Sequence, residues 1–172
     1  MRLMKQIEVN QLDRSVVDII GQQWLLISAG DSAQFNTMTA SWGMIGYMFN
    51  KNVAMIVVRP TRYTREFLDR CDRFTLTVLA DGYRDDLVTL GRISGRDGDK
   101  VAQTKLTPCF TPAGNPTFEQ AHITLECRKL FVQPMEDTSF IDRGLVEQWY
   151  DEAHGEFHII YIGEIESCWV AE

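Results

Sequence analysis

Three short segments concentrate the polar chemistry of this chain. In Asn36-Thr37-Met38-Thr39-Ala40-Ser41-Trp42, hydroxyls alternate with apolar side chains. On a strand, that spacing sets Thr37, Thr39 and Ser41 on one face. There they and the neighbouring backbone can hydrogen-bond a polar ligand, although an ordinary strand with its hydroxyls in water has the same pattern. Arg59-Pro60-Thr61-Arg62-Tyr63-Thr64 lies where a strand hands over to a helix. The opening turn of a helix presents unpaired N–H groups and a positive dipole end, which suit a phosphate. Two arginines and two threonines there add further donors; the plainer reading is a capped helix with solvated arginines. In Ser94-Gly95-Arg96-Asp97-Gly98-Asp99-Lys100, the glycines permit tight backbone geometry, and Arg96 and Lys100 can reach an anion. Asp97 and Asp99 offset that charge, so in isolation this segment reads as a surface turn with a helix cap at Asp97.

Other chemistries find no support. His154-Gly155-Glu156-Phe157-His158 offers ligand types for a metal, but the trio straddles a loop-to-strand boundary and His122 is remote, so no metal site is expected. The chain has no Gly-rich phosphate loop, no dinucleotide fingerprint, and no Gly-x-Ser-x-Gly elbow to supply a hydrolytic nucleophile.

The elements that must position these residues read mostly as strands. Trp24 to Ala29 is a nearly continuous apolar run, the pattern of a strand covered on both faces. Residues 37–42 and 74–78 alternate, 53–58 are rich in β-branched residues, and 158–165 are rich in aliphatic ones, with an end expected at Gly163. Between His122 and Gln133, Ile123, Leu125, Cys127 and Phe131 fall on one face and Thr124, Glu126 and Arg128 on the other. Helical spacing appears over Thr61 to Cys71, with Thr61 as N-cap, over Tyr83 to Ile93, and over Asp142 to Tyr150; a further turn is expected after Asp97. Thr107 to Pro116, with three prolines, reads as loop or broken strand. Strands without a regular βαβ rhythm point to a mainly β, antiparallel sheet closed or partly closed into a barrel.

Composition fits one globular domain over residues 1–172, with 17 Lys and Arg against 24 Asp and Glu, a net charge of −7. That balance argues against nucleic acid or an anionic membrane as partner. The longest apolar run is the six residues Val53 to Val58, and Met1 to Val9 lacks the apolar stretch of a secretory signal, so a cytoplasmic protein with reduced, mostly buried cysteines is expected.

In order along the chain, residues 36–42, 58–64, 74–77, 94–97 with Lys100, and 158–164 resemble the flavin-reductase-like, FMN-binding split-barrel family, close to its flavoredoxin branch. The resemblance runs from about Trp24 to Ile165. It implies a Greek-key-like split β-barrel that forms a homodimer, with FMN at the subunit interface. The strand Asn36 to Trp42, with Met38 and Ala40 between its hydroxyls, would lie along the flavin ring and ribityl chain. Arg59, Arg62, Tyr63 and Thr64 would sit at the phosphate, and Ser94, Arg96 and Lys100 in a loop nearby. His158 matches the His of a Gly-Asp-His stretch that lies beside nicotinamide and flavin, with Glu156 and Phe157 in place of the Gly-Asp. The implied activity is hydride transfer from NADH or NADPH to FMN, with His158 as the catalytic residue. A non-catalytic flavoredoxin-like electron carrier served by a redox protein partner, and a small-molecule-binding barrel without redox work, remain open beside it.

Overall fold

Alternating inward and outward side chains make the sheet, and the sheet decides where everything else can go. The computed structural model describes residues 4–153 and 155–172. Its elements are β1 (Met4–Ile7), β2 (Leu25–Gly30), β3 (Phe35–Ala40), β4 (Gly43–Met48), β5 (Lys51–Val58), α1 (Tyr63–Arg70), β6 (Arg73–Leu79), α2 (Arg84–Arg92), β7 (Pro108–Phe110), β8 (Pro116–Phe118), β9 (Ala121–Pro134), α3 (Arg143–Trp149) and β10 (Ile159–Ala171). The main sheet runs β3-β2-β6-β9-β10-β5-β4, with β1 added on β10, and every pairing is antiparallel.

The two ends of that path, β3 and β4, are consecutive in the chain and joined by Ser41 and Trp42. Three residue steps reach about 11 Å at most, so the sheet must curl until its edges nearly meet. The result is a barrel split along the β3–β4 seam, the mainly β architecture expected from the sequence.

Inside the barrel, Ile27, Met38, Ile56, Phe74, Leu125 and Tyr161 pack together. On the outer side of β2, Leu26 meets Leu87, Leu90, Leu106 and Phe118 beneath α2 and the β7–β8 hairpin. Hence β2 is buried on both faces, as its apolar run implies. Thr107 to Pro116, read as loop or broken strand, contributes to that hairpin through β7 and the first residue of β8.

Four expectations are corrected. The last strand does not end at Gly163 but continues to Ala171; at residue 163 a Cβ would stand 2.9 Å from Cys127 Cβ and from the Phe74 ring, so a glycine is needed to let strand and ring approach. The β9–β10 register shifts there, with Ile162 opposite Phe131 and Gly163 opposite Lys129. The extra residue on β9 reverses its facing beyond the bulge, and Phe131 is exposed rather than sharing the face of Cys127. Helix α1 begins at Tyr63 with Arg62 as N-cap and no side-chain cap, so Thr61 does not cap it. After Asp97 the turn is Val101–Gln103, and it is Asp99 whose Oδ1 accepts from the N–H groups of Val101 (3.0 Å) and Ala102 (3.1 Å).

Among the described residues, no helix is long and apolar enough to cross a membrane. The four cysteines are free, Cys127 and Cys168 buried and Cys71 and Cys109 partly so.

Candidate functional site

The uncapped start of α1, the last turn of α2 and the loop after it enclose a cavity of about 200 Å³ lined by Asn36, residues 61–64, residues 92–95 and Lys100. A helix end leaves its last carbonyls without intrahelical partners and carries a negative partial charge. Two cations occupy that end of α2. Arg62 Nη1 donates to Gly91 O at 2.7 Å, and Lys100 Nζ donates to Leu90 O at 3.0 Å and to Ile93 O at 3.2 Å.

The carbonyls fix both cations but do not neutralise them. The lining contains no carboxylate, and neither Arg62 nor Lys100 takes part in an ion pair among the described residues. Lys100 is only 4% exposed. Burial, and then the charge of Arg62, push its pKa down to about 8; burial also lowers that of Arg62. Two desolvated positive charges side by side are costly unless a counter-ion arrives.

Neutral donors complete the cavity. Thr64 is fully buried, and its Oγ1 accepts from Asn36 Nδ2 at 2.7 Å, which leaves the hydroxyl proton available to an anion. Ser94 is half-buried on the opposite wall. The loop can close this far because residue 95 is glycine: a Cβ there would fall 2.2 Å from Asn36 Oδ1 and 3.0 Å from Tyr63 Cδ1. Arg96 lies just outside the lining, donating to Thr61 O at 3.0 Å and to Glu66 Oε1 at 2.5 Å while lying over the Tyr63 ring. Its charge is therefore already matched. A larger cleft of about 490 Å³ adjoins, sharing Asn36, Tyr63, Gly95 and Lys100.

The hydroxyl row of β3 divides by use. Thr37 is buried and its Oγ1 accepts from Ser28 Oγ at 2.8 Å; Thr39 Oγ1 donates to Leu87 O at 2.5 Å. Met38 enters the barrel core and Ala40 packs against it. Past the strand end, Ser41 and the exposed Trp42 line an apolar groove of about 550 Å³ with Val16, Val17 and Ile20. Asn36 to Ala40 spans about 13 Å at the usual strand rise, so β3 links the cationic cavity at one end to an aromatic site at the other.

That second site gathers Trp42, Trp149, Tyr150 and His158. The Trp42 ring lies 5.0 Å from Trp149 and 5.2 Å from His158. Arg59 belongs here and not with Arg62: its guanidinium donates to Glu156 O at 2.9 Å and Trp149 O at 3.0 Å. A turn closed by Arg62 N–H donating to Arg59 O at 3.0 Å separates the two arginines. Burial, then the nearby Arg59 charge, hold the His158 pKa down at about 4, so its imidazole is neutral at pH 7. His154, the other terminal histidine of the trio weighed for metal, lies outside the described residues.

The structure thus brings Asn36, Arg62, Tyr63, Thr64, Ser94 and Lys100 together, keeps Arg96 at their edge, places Trp42, Arg59 and His158 in the aromatic site, and leaves Ser41 on the apolar groove beside Trp42. Sequence reading missed Arg92 on the cavity rim, the Gly95 contact, and the aromatic residues of the 140–157 segment. The one signal for Arg92 was a cation in the last turn of α2.

A donor set of N–H and O–H groups without a carboxylate suits a phosphate, and an exposed ring edge about one strand length away suits a flat heterocycle. Residues 18–172 match the family model described as flavin reductase like domain. No curated protein matches the chain. The FMN-binding domain of a flavin reductases-like enzyme from Shewanella baltica superposes with a TM-score of 0.70 at 16% identity, covering 98% of this chain and 78% of its own. The flavoredoxin of Desulfovibrio vulgaris superposes at 0.66 with 20% identity, covering 96% and 78%. An NADH:FAD oxidoreductase from Streptomyces globisporus, solved with NAD and FAD fragments, superposes at 0.60 with 18% identity, covering 85% and 73%.

Proposed function

Because the chain belongs to the flavin reductase like domain family, we propose that it binds FMN along β3 and catalyses hydride transfer from NADH or NADPH to the flavin. The observation that carries this reading is the pair of cations, half-buried Arg62 and buried Lys100, facing a cavity without a carboxylate in a chain of net charge −7. A phosphate ester dianion is the ligand charge such a pair lacks.

FMN bound there supplies the two-electron chemistry. The chain's part is binding and orientation. Arg62 and Lys100 hold the phosphate, Thr64 and Ser94 donate to it, and Asn36 keeps the Thr64 hydroxyl turned the right way. At the far end Trp42 and the neutral His158 are the residues that would flank the flavin ring, and holding two reactants together there would remove much of the entropic barrier. The four free thiols suit a reducing compartment such as the cytoplasm.

A homodimer with FMN at the subunit interface completes the proposal. Its support is the outer face of β4, β5, β10 and β9, where Met44, Met55, Ile162 and Phe131 form one cross-strand row. Met44 and Phe131 are 57% and 41% exposed.

One observation favours a second reading, an FMN-bearing electron carrier reduced by a redox protein partner. The residues before His158 are Glu156 and Phe157 in place of the Gly-Asp that the resemblance sets beside the nicotinamide, and the Phe157 ring is stacked on Tyr150 at 4.7 Å. The absorbance spectrum of freshly purified protein, with FMN added and then NADH and NADPH in turn without oxygen, separates the readings. Flavin uptake followed by bleaching with either nicotinamide is expected. Uptake without bleaching leaves the carrier, and protein that stays colourless with added FMN overturns both.

A further inference from the structure

The segment between β9 and β10 closes over one side of His158. Tyr150 Oη stands 2.9 Å from His158 Nδ1. Its ring is held by stacking on Phe157 and by Phe140 at 5.4 Å. Arg59 ties the same segment down at two carbonyls on either side of Tyr150, those of Trp149 and Glu156. Position and orientation of the phenol are therefore fixed by several independent contacts.

We propose that Tyr150 is a positioning residue, donating its phenolic proton to Nδ1 of His158 and so holding the imidazole with its own proton on Nε2, the nitrogen facing away from Tyr150. The phenol has one proton and two neighbours able to accept it, His158 Nδ1 and, at 3.5 Å, Met135 Sδ. An imidazole nitrogen is much the better acceptor, a thioether sulfur being weak. Burial raises the pKa of Tyr150, so the phenol keeps its proton at neutral pH. A neutral imidazole that accepts at one nitrogen must donate at the other, so the tautomer follows from the hydrogen bond. The consequence is an N–H donor at Nε2, on the side of the ring away from Tyr150. That this donor serves a flavin or a nicotinamide rests on the function proposed above; that Tyr150 sets it does not.

With three histidines in the chain, two-bond proton–nitrogen NMR spectra of the ¹⁵N-histidine-labelled full chain read the tautomer directly. His158 is expected as the Nε2–H form. In Tyr150→Phe, which keeps the ring and its stacking, the ratio of Nε2–H to Nδ1–H should fall about tenfold, the worth of one such hydrogen bond. Met135→Leu should leave the ratio unchanged. A proton on Nδ1 in the wild type, or an unchanged ratio in Tyr150→Phe, overturns the proposal. Failure of the same samples to take up FMN would sink the proposed function while leaving the tautomer result standing.

Discussion

A lysine held by two helix-end carbonyls and facing an arginine must respond to the charge of whatever it binds. In the ligand-free protein the Lys100 pKa is about 8. A phosphate dianion favours the ammonium and raises that value, so binding takes up a proton whenever the pH lies above about 8. FMN affinity should therefore be level near pH 7–8 and weaken by up to about tenfold per pH unit above it, while below about pH 6 protonation of the phosphate itself weakens it. In Lys100→Met the affinity should be lower and flat on the alkaline side. Fluorescence titration of FMN across pH reads both, and an unchanged alkaline slope in the variant removes Lys100 from the site. Without ligand the linkage is opposite in sign. The unfolded lysine keeps its proton to about 10.5 while the folded one loses it near 8, so folded stability rises with pH between those values. Urea unfolding of wild type against Lys100→Met measures that rise, which the variant should lack.

At the scale of elements, the cradle depends on three pieces meeting: the start of α1, the end of α2 and the 94–95 loop. Gly95→Ala tests the meeting point. Its methyl would collide with Asn36 Oδ1, so either the loop lifts or Asn36 turns and releases Thr64. Either way charge-assisted contacts worth about 1.5–3 kcal/mol are lost, about ten- to a hundredfold in FMN affinity. Thermal stability should change little, because the loop lies outside both hydrophobic clusters. Wild-type affinity in the variant would mean that the loop does not border the phosphate. The same junction shows how far the sequence was legible. Strands betrayed themselves through period-two alternation because the barrel has a dry inside and a partly wet outside. Even β2 was readable, as a continuous apolar run. The cradle was readable only in its residue types. Arg62 and Lys100 are brought together by the carbonyls of Leu90, Gly91 and Ile93, and backbone groups leave no mark in a side-chain pattern. Arg59, three residues from Arg62, looked like its partner, yet the intervening turn sends it to Trp149 and Glu156. Gly163 read as a strand end because a glycine needed for close packing and a glycine ending a strand are the same letter.

For the whole molecule, the question is what covers the outer face of the β4–β5 side of the barrel. An ionic ladder runs across the sheet from Lys51 through Glu164, Arg128 and Glu166 to Arg73, and beside it lies the row of Met44, Met55, Ile162 and Phe131. The hairpin tip continues the apolar surface: Tyr47, Met48 and Phe49 are 70%, 46% and 54% exposed. Phe49 also holds φ +56°, a left-handed conformation that is costly for a bulky side chain. An exposed aromatic kept in a strained turn, next to other exposed apolar groups, is poorly explained by a face left in water. A second copy of the chain set against this face would bury it and bring another subunit's surface near the seam at Ser41 and Trp42. Met44→Glu should then leave the monomer fold intact, since Met44 points outward, while placing a carboxylate in the centre of the contact. Sedimentation should show the wild type as two chains and the variant shifted to one. FMN affinity should fall in parallel, because a site completed by the partner is lost with it. A variant that remains dimeric would exclude this face as the contact, and a monomeric variant that binds FMN as tightly as the wild type would show that one chain holds the cofactor alone.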